Sequence, residues 1–207
     1  LAEGADFYAA PTLSPDAHRL AWIEWNRPHQ PWTATRLMVA ERQRDGGFSP
    51  PCCVAGDDAQ ESLQQPRFDD SGRLYCLTDR GGFWQPWVES SEGLSPLPSA
   101  AADHGPAPWQ LGGCTWLPLG GAGYLATWTE GGFGRLAVCG DNNEDFTGEY
   151  SRFRHLAVDN QFIYCIAASP ISSSAVIAID RQTREVNTLA GGITPLPAEQ
   201  ISLPQTL

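Results

Sequence analysis

The sequence contains no lysine and a single methionine among its 207 residues. Its 13 basic residues, all arginine, are outnumbered by 24 acidic ones, so the net charge is −11. A chain with this balance is repelled by phosphate backbones and anionic lipid surfaces, and we therefore expect no nucleic-acid or membrane partner. No apolar run approaches the roughly 20 residues of a transmembrane helix, and the first residues do not resemble a signal peptide.

Few segments have apolar residues at the 3.6-residue spacing of an amphipathic helix, which argues against a helical fold. The 21 glycines and 17 prolines interrupt the chain too often for long helices. Between them lie short runs of aromatic and β-branched residues, which favour strands. The sequence therefore predicts an all-β chain.

The six cysteines do not form a metal-binding or disulfide pattern. Cys76, Cys139 and Cys165 each lie inside an apolar strand pattern, which predicts small buried side chains. Cys52 and Cys53 are adjacent, and no histidine stands at metal-ligand spacing from them. We expect no metal, no cofactor and a reducing, cytoplasmic location.

Internal repeats organise the chain. Four segments share a polar turn followed by apolar runs, and Leu20, Leu74, Leu125 and Ile163 mark equivalent positions in them. Each unit has room for four short strands, which is the size of one propeller blade. The prediction is a partial β-propeller of about four blades, each a four-stranded antiparallel sheet. The blades cover roughly 7–56, 61–99, 109–150 and 152–190, and 191–207 forms an exit segment.

The turn chemistry supports these repeats. Asp-x-x-Gly and Asp-Asn stretches supply the left-handed positions of a tight hairpin between the first and second strands. Ala17 stands where this pattern calls for glycine, and the third copy lacks the acidic turn. Third strands are predicted at 35–41, 83–89, 134–139 and 175–180.

Three strings carry a family resemblance: Tyr8–Asp16, Glu61–Tyr75 and Thr78–Trp84. They resemble the β-propeller domain of the prolyl oligopeptidase family of serine peptidases, and most closely its bacterial acylaminoacyl-peptidase or dipeptidyl-aminopeptidase-like branch. The stretch 168–180 is similar to the family's last blades. The segment Ile201–Pro204 is similar to the exit toward the peptidase domain.

The resemblance implies a propeller that caps an α/β-hydrolase domain and admits only short peptides. The Gly-x-Ser-x-Gly elbow of such a domain is absent, because Gly93-Leu-Ser-Pro-Leu97 lacks the closing glycine. We therefore expect an inactive propeller segment whose partners are the hydrolase domain of the parent chain and peptide substrates. Because about half of a ring would be missing, we also expect self-association through exposed blade faces.

Two alternatives stay open at this point. One is a stand-alone propeller that serves as a protein–protein interaction module, similar to the Tol-system propeller. The other is a sugar-binding or lyase propeller, which the eight tryptophans allow. Tryptophans more often fill the wedge between blades.

Four residues are candidates for the substrate cavity: Asp79, Arg80, Trp84 and Trp32. The Asp79–Arg80 pair offers both charges to a peptide terminus, and the alternative is a structural salt bridge or turn bond. Trp32 ends a long, proline-stiffened loop. No catalytic residue is expected.

Other chemistry-bearing residues favour structural roles. We expect His18, His29, His104 and His155 at the surface or in hairpin packing, with His155 beginning a strand, because none has a nearby Ser or Cys in a structured elbow. The stretch Asp141–Asp145 resembles a Ca²⁺ loop in composition only, and a solvated hairpin is expected there.

Overall fold

The structure, a computed structural model, describes residues 2–121, 123–193 and 197–203. It contains four antiparallel four-stranded sheets in which each strand pairs with the next along the chain. This confirms the all-β prediction and the four four-stranded blades. In the described residues, no helix is long and apolar enough to cross a bilayer.

The strands divide evenly among the sheets. In chain order they are β1 (Phe7–Leu13), β2 (Arg19–Trp25), β3 (Arg36–Glu41), β4 (Cys52–Ala55), β5 (Leu63–Phe68), β6 (Leu74–Thr78), β7 (Gln85–Ser90), β8 (Gly93–Pro96), β9 (Trp116–Gly120), β10 (Gly123–Glu130), β11 (Phe133–Cys139), β12 (Glu144–Asp145), β13 (Arg152–Val158), β14 (Phe162–Ser169), β15 (Ser172–Asp180) and β16 (Val186–Gly191). The four marker residues of the repeats all lie on second strands, as predicted. The predicted third strands are β3, β7, β11 and β15.

The chain divides into two compact units. The first comprises residues 1–113 and 118–123 and holds the first two sheets, while the second comprises 114–117 and 124–207 and holds the fourth sheet and most of the third. The stretch 191–207 includes residues 194–196 and 204–207, which lie outside the described residues. Within its described part, Ala198–Gln200 forms a 3-10 turn.

The core of the first unit lies between its two sheets. Ala21, Ile23, Leu37 and Val39 from the first sheet pack with Leu63, Leu74 and Cys76 from the second. Strand β6 is buried at every residue, as expected of a second strand covered on both faces. Burial raises the pKa of the Cys76 thiol, so this cysteine packs as a small apolar side chain.

A salt bridge also joins the first two sheets. The guanidinium of Arg19 on β2 donates two parallel hydrogen bonds, of 2.8 and 2.7 Å, to the carboxylate of Glu89 on β7. Arg19 also lies 5.3 Å from the ring centroid of Phe68. A bidentate pair of this kind fixes the relative position of the two sheets better than a single contact does.

A recurring irregularity marks the first strands β1, β5 and β13. The register of β1, β5 and β13 shifts once against the neighbouring strand. Within each shifted segment one non-glycine residue has positive φ: Ala10 at 50°, Gln65 at 49° and His155 at 54°. The repeats therefore share a β-bulge that the sequence analysis missed. The prediction that His155 begins a strand is wrong, because it lies inside β13 at this bulge.

The hairpins between first and second strands follow the predicted turn chemistry. Asp16 accepts hydrogen bonds from the Ser14 hydroxyl at 2.5 Å and from the His18 amide at 3.0 Å. Ala17 has φ of 56° and Gly72 has φ of 81°, so both occupy the left-handed region. The alanine at position 17 is therefore strained where a glycine is not.

We predict opposite effects for two exchanges at these turns. Ala17→Gly should raise the free energy of unfolding by about 0.5–1 kcal/mol, because glycine relieves left-handed strain at some entropic cost. Gly72→Ala should lower it by about the same amount, since a Cβ there meets no atom within 4 Å and only φ is affected. Urea unfolding of both variants measures this, and a loss of stability in Ala17→Gly would contradict the assignment.

Candidate functional site

The buried residue Ser62 contacts two of the four predicted cavity residues, Asp79 and Trp84, and also Pro31, the residue before a third, Trp32. The Ser62 amide donates to the Asp79 carboxylate at 2.7 Å. The Ser62 hydroxyl donates to the Pro31 carbonyl at 2.8 Å and accepts the Trp84 indole N–H at 3.1 Å. Since Trp32 follows Pro31 directly, the structure brings the neighbourhoods of Trp32, Asp79 and Trp84 together at one residue.

The fourth predicted residue, Arg80, is held by the adjacent Glu61. Its Nη2 lies 2.6 Å from Glu61 Oε1 and its Nε lies 3.2 Å from Oε2. Thr78 donates its hydroxyl to the same carboxylate at 2.5 Å, and the Arg80 guanidinium lies 5.2 Å from the Trp87 ring centroid. The hydrogen bond with Glu61 raises the pKa of Arg80. A salt bridge therefore exists here, with Glu61 as its acidic partner.

Asp79 closes the turn after β6. Its amide donates to the Ser62 carbonyl at 3.2 Å and its carbonyl accepts the Gly82 amide at 2.8 Å. Burial raises the pKa of its carboxyl group. These contacts make Asp79 and Ser62 a reciprocal pair between two loops, which is the turn bond that the sequence analysis kept as an alternative.

A loop after the second sheet completes the arrangement. Asp103 accepts the Trp84 amide at 2.9 Å, and the His104 amide donates to the Trp84 carbonyl at 2.8 Å. The ring Nδ1 of His104 lies 2.9 Å from the Ala102 carbonyl, and the side chain has no exposed surface. The expectation of a surface position or hairpin packing is wrong for this histidine, because it is buried in the connection between β8 and β9, which folds back over Gln64 and Leu77.

The tryptophans split between packing and exposure. Trp22 and Trp116 are buried, as the packing prediction requires, and Trp84 is half-buried. Trp32 and Trp109 are exposed, at 41% and 68%. The Trp32 loop therefore presents a large aromatic side chain to its surroundings while its base is fixed at Ser62.

The hydrogen bonds of this cluster hold its loops together. The Ser62 hydroxyl donates to a backbone carbonyl, so no base activates it as a nucleophile. Among the described residues, no group of three or more His, Cys, Asp or Glu side chains is arranged to hold a metal ion. The acidic stretch 141–145 is exposed and ends in β12, as expected for a solvated hairpin.

Sequence reasoning missed Glu61, Ser62 and Asp103 as members of the cluster. Glu61 and Ser62 begin the string that carried the family resemblance, which was the available signal. Their hydrogen-bond partners lie 17 to 31 residues away in the chain, and neither composition nor hydrophobic periodicity encodes such pairings.

Comparison with solved structures identifies similar chains. The chain is 31% identical to a Mycobacterium tuberculosis puromycin-hydrolysing peptidase, with a TM-score of 0.84, over 95% of this chain and 30% of that one. A prolyl endopeptidase matches with 14% identity and a TM-score of 0.62, over 92% of this chain and 27% of that one. TolB from Acinetobacter baumannii matches with 15% identity and a TM-score of 0.64, over 90% and 44%.

The matches confirm the resemblance to the propeller region of prolyl oligopeptidase family peptidases over most of the chain. The two matches of lower identity show the fold alone. The chain spans about 30% of the length of the puromycin-hydrolysing peptidase, so that protein extends well beyond the matched region. No protein-family model and no curated protein matches the sequence.

We predict that Ser62→Ala loosens the cluster. The substitution removes one hydrogen bond and deprives the Trp84 indole of its acceptor, so the free energy of unfolding should fall by about 1–3 kcal/mol. Chymotrypsin should also cleave after Trp32 faster. Ser90→Ala is the matched control, because the Ser90 hydroxyl makes an exposed bond to the Gly93 carbonyl. Equal behaviour of the two variants would contradict the central role of Ser62.

Because His104 is buried, the stability of the folded protein should depend on pH. Burial lowers the pKa of His104 in the folded state below 6.5. Below pH 6.5 the unfolded chain therefore binds more protons than the folded chain. The free energy of unfolding is highest above that pH and decreases as the pH falls through it. The loss is at most about 1.4 kcal/mol per pH unit.

Urea unfolding at pH 7.5, 6.5 and 5.5 tests this dependence. His104→Phe should flatten the slope between the last two values relative to the unchanged protein. The exposed His18→Asn should leave that slope as it is. If His104→Phe has the same slope as the unchanged protein, His104 does not titrate as described.

Proposed function

We propose that the chain is a non-catalytic propeller segment that gates and lines the substrate cavity of a serine peptidase acting on short peptides or on acylated or dipeptidyl N-termini. The observation that carries this proposal is the match, at 31% identity over 95% of the chain, with a puromycin-hydrolysing peptidase. The role of a gate rather than a catalyst is supported by the Ser62 cluster, which positions side chains without an activated nucleophile.

In this proposal the four predicted cavity residues have distinct tasks. Trp32 narrows the passage with an exposed indole on a loop anchored at Ser62. Arg80 is 42% exposed at its side chain and keeps a polar edge beside the passage. Asp79 and Trp84 hold the turn that carries Arg80.

The partners follow from the same proposal. They are an α/β-hydrolase domain in the same protein and the peptide that passes the gate. Six free thiols support a cytoplasmic location, since a reducing compartment keeps them unpaired. Self-association through exposed sheet faces stays a prediction, supported by β16, which is exposed along its whole length.

The stand-alone interaction module is the second candidate, and the TolB match favours it at the level of the fold. The two candidates differ in whether the gene encodes a hydrolase together with these residues. A reading frame without an α/β-hydrolase containing a Gly-x-Ser-x-Gly elbow would exclude the gate and leave the interaction module.

Enzyme assays test the gate directly. We predict that the pure 207-residue chain does not hydrolyse aminoacyl or peptidyl p-nitroanilides, whereas the product of the full reading frame does. In that product, Trp32→Ala should raise kcat/KM for a 20-residue peptide several-fold relative to a tripeptide, because a narrower side chain widens the passage. Leu13→Ala, at the opposite end of the sheets, is the control and should leave the ratio unchanged. Hydrolysis by the pure chain would contradict the proposal.

A further inference from the structure

The connection from β8 to β9 contains a loop whose two ends are held by one strand, β5. The Gln64 side chain donates through Nε2 to the Pro106 carbonyl at 3.1 Å. Three residues further along β5, Arg67 Nη2 donates to the Gly113 carbonyl at 3.4 Å. We call the residues between these two attachments the 107–113 loop. Its position over the first strand of the second sheet is therefore fixed at both ends.

The 107–113 loop carries two large apolar side chains that face water. Trp109 is 68% exposed and Leu111 is 75% exposed. Single exposed apolar residues are common on protein surfaces, whereas two of this size within three positions of one loop form a small apolar patch. Beside them the space is open, since a Cβ at Gly112 or Gly113 would meet no atom within 4 Å. A small ligand can therefore contact both side chains.

Arg67, at the base of this loop, carries a charge that no carboxylate balances. In the part of the chain that the structure describes, five arginines form salt bridges with carboxylates: Arg19, Arg36, Arg80, Arg135 and Arg184. Arg67 is not among them, and its Nε is buried without a hydrogen-bond partner. A guanidinium stays charged in proteins, and a buried donor without a partner is uncommon. Arg67 is half-buried rather than enclosed, so a ligand can approach it.

Two features of a ligand follow from these surroundings. The unbalanced guanidinium favours an anion, and the two oxygens of a carboxylate match its donors in geometry. Trp109 and Leu111 favour an apolar group beside that anion. The C-terminal residue of a peptide combines the two, because its carboxylate is attached to the carbon that bears its side chain. An aspartate or glutamate side chain offers a carboxylate without an apolar group beside it.

We propose that Arg67 and the 107–113 loop form a binding site for the free C-terminus of a short peptide that ends in an apolar residue. Arg67 binds the carboxylate, while Trp109 and Leu111 cover the terminal side chain. Because Gln64 and Arg67 hold the loop at both ends, binding costs little ordering of the loop. The site goes beyond the proposed function, since it requires no residue outside this chain.

Nuclear magnetic resonance of the 207-residue chain, labelled with ¹⁵N at its tryptophans, tests this site. The indole signal of Trp109 is identified by its absence from Trp109→Phe. N-acetyl-leucyl-phenylalanine should shift this signal in a saturable manner, with a dissociation constant on the order of a few millimolar. Its C-terminal amide, which lacks the charge, should bind about tenfold more weakly. N-acetyl-glycyl-glycine, which lacks the apolar side chain, should also bind about tenfold more weakly.

Exchanges at Arg67 separate its charge from its role in holding the loop. Arg67→Gln should bind the acid and the amide of N-acetyl-leucyl-phenylalanine equally, whereas Arg67→Lys, which keeps the charge, should retain most of the preference for the acid. Arg44→Gln is the matched control, because Arg44 is exposed in the hairpin between β3 and β4, and it should leave that preference unchanged. The other indole signals report whether each variant keeps its fold.

The outcomes are decisive for this site alone. Equal binding of acid and amide by the unchanged chain, or no saturable shift of the Trp109 signal up to about 20 mM peptide, would overturn the proposal. Loss of the preference in Arg67→Lys as well as in Arg67→Gln would also overturn it, because the loop attachment and not the charge would then govern binding. These titrations need no enzyme activity, so their failure leaves the proposed function standing, and inactivity of the full reading frame's product leaves this site standing.

Discussion

The arrangement of the loops 26–35 and 79–84 depends on one buried residue, Ser62. Its hydroxyl donates to the Pro31 carbonyl and accepts the Trp84 indole N–H, while the amide of the same residue binds Asp79. A buried polar group must find partners within the protein, and these partners come from two loops, 26–35 and 79–84. The position of Ser62 at the entrance to β5 therefore fixes loops that the sheet itself does not reach.

The residue before Ser62, Glu61, carries a buried charge. Glu61 is 4% exposed and its carboxylate is satisfied by Arg80 and Thr78. Removing one partner would leave a charge buried, which costs far more than a surface pair contributes.

Local signals predicted most of the fold, and long-range contacts account for what they missed. The second strands at Leu20 and Leu74 follow from apolar runs after acidic turns, which act over a few residues. The bulge at Gln65 carries no residue type that favours positive φ, and only pairing with β6 imposes it. The burial of His104 depends on how the stretch from Leu97 to Gly113 folds back over the second sheet, which hydrophobic periodicity does not encode.

The central proposal is that this chain is a non-catalytic gate of a serine peptidase, with Trp32 on a loop anchored at Ser62. An experimental structure of the full reading frame's product tests it most directly. The account predicts that an α/β-hydrolase domain accompanies these residues and that Trp32 lies beside a passage to its active site. A structure without such a domain, or one in which Trp32 lies away from every path to the active site, would contradict it.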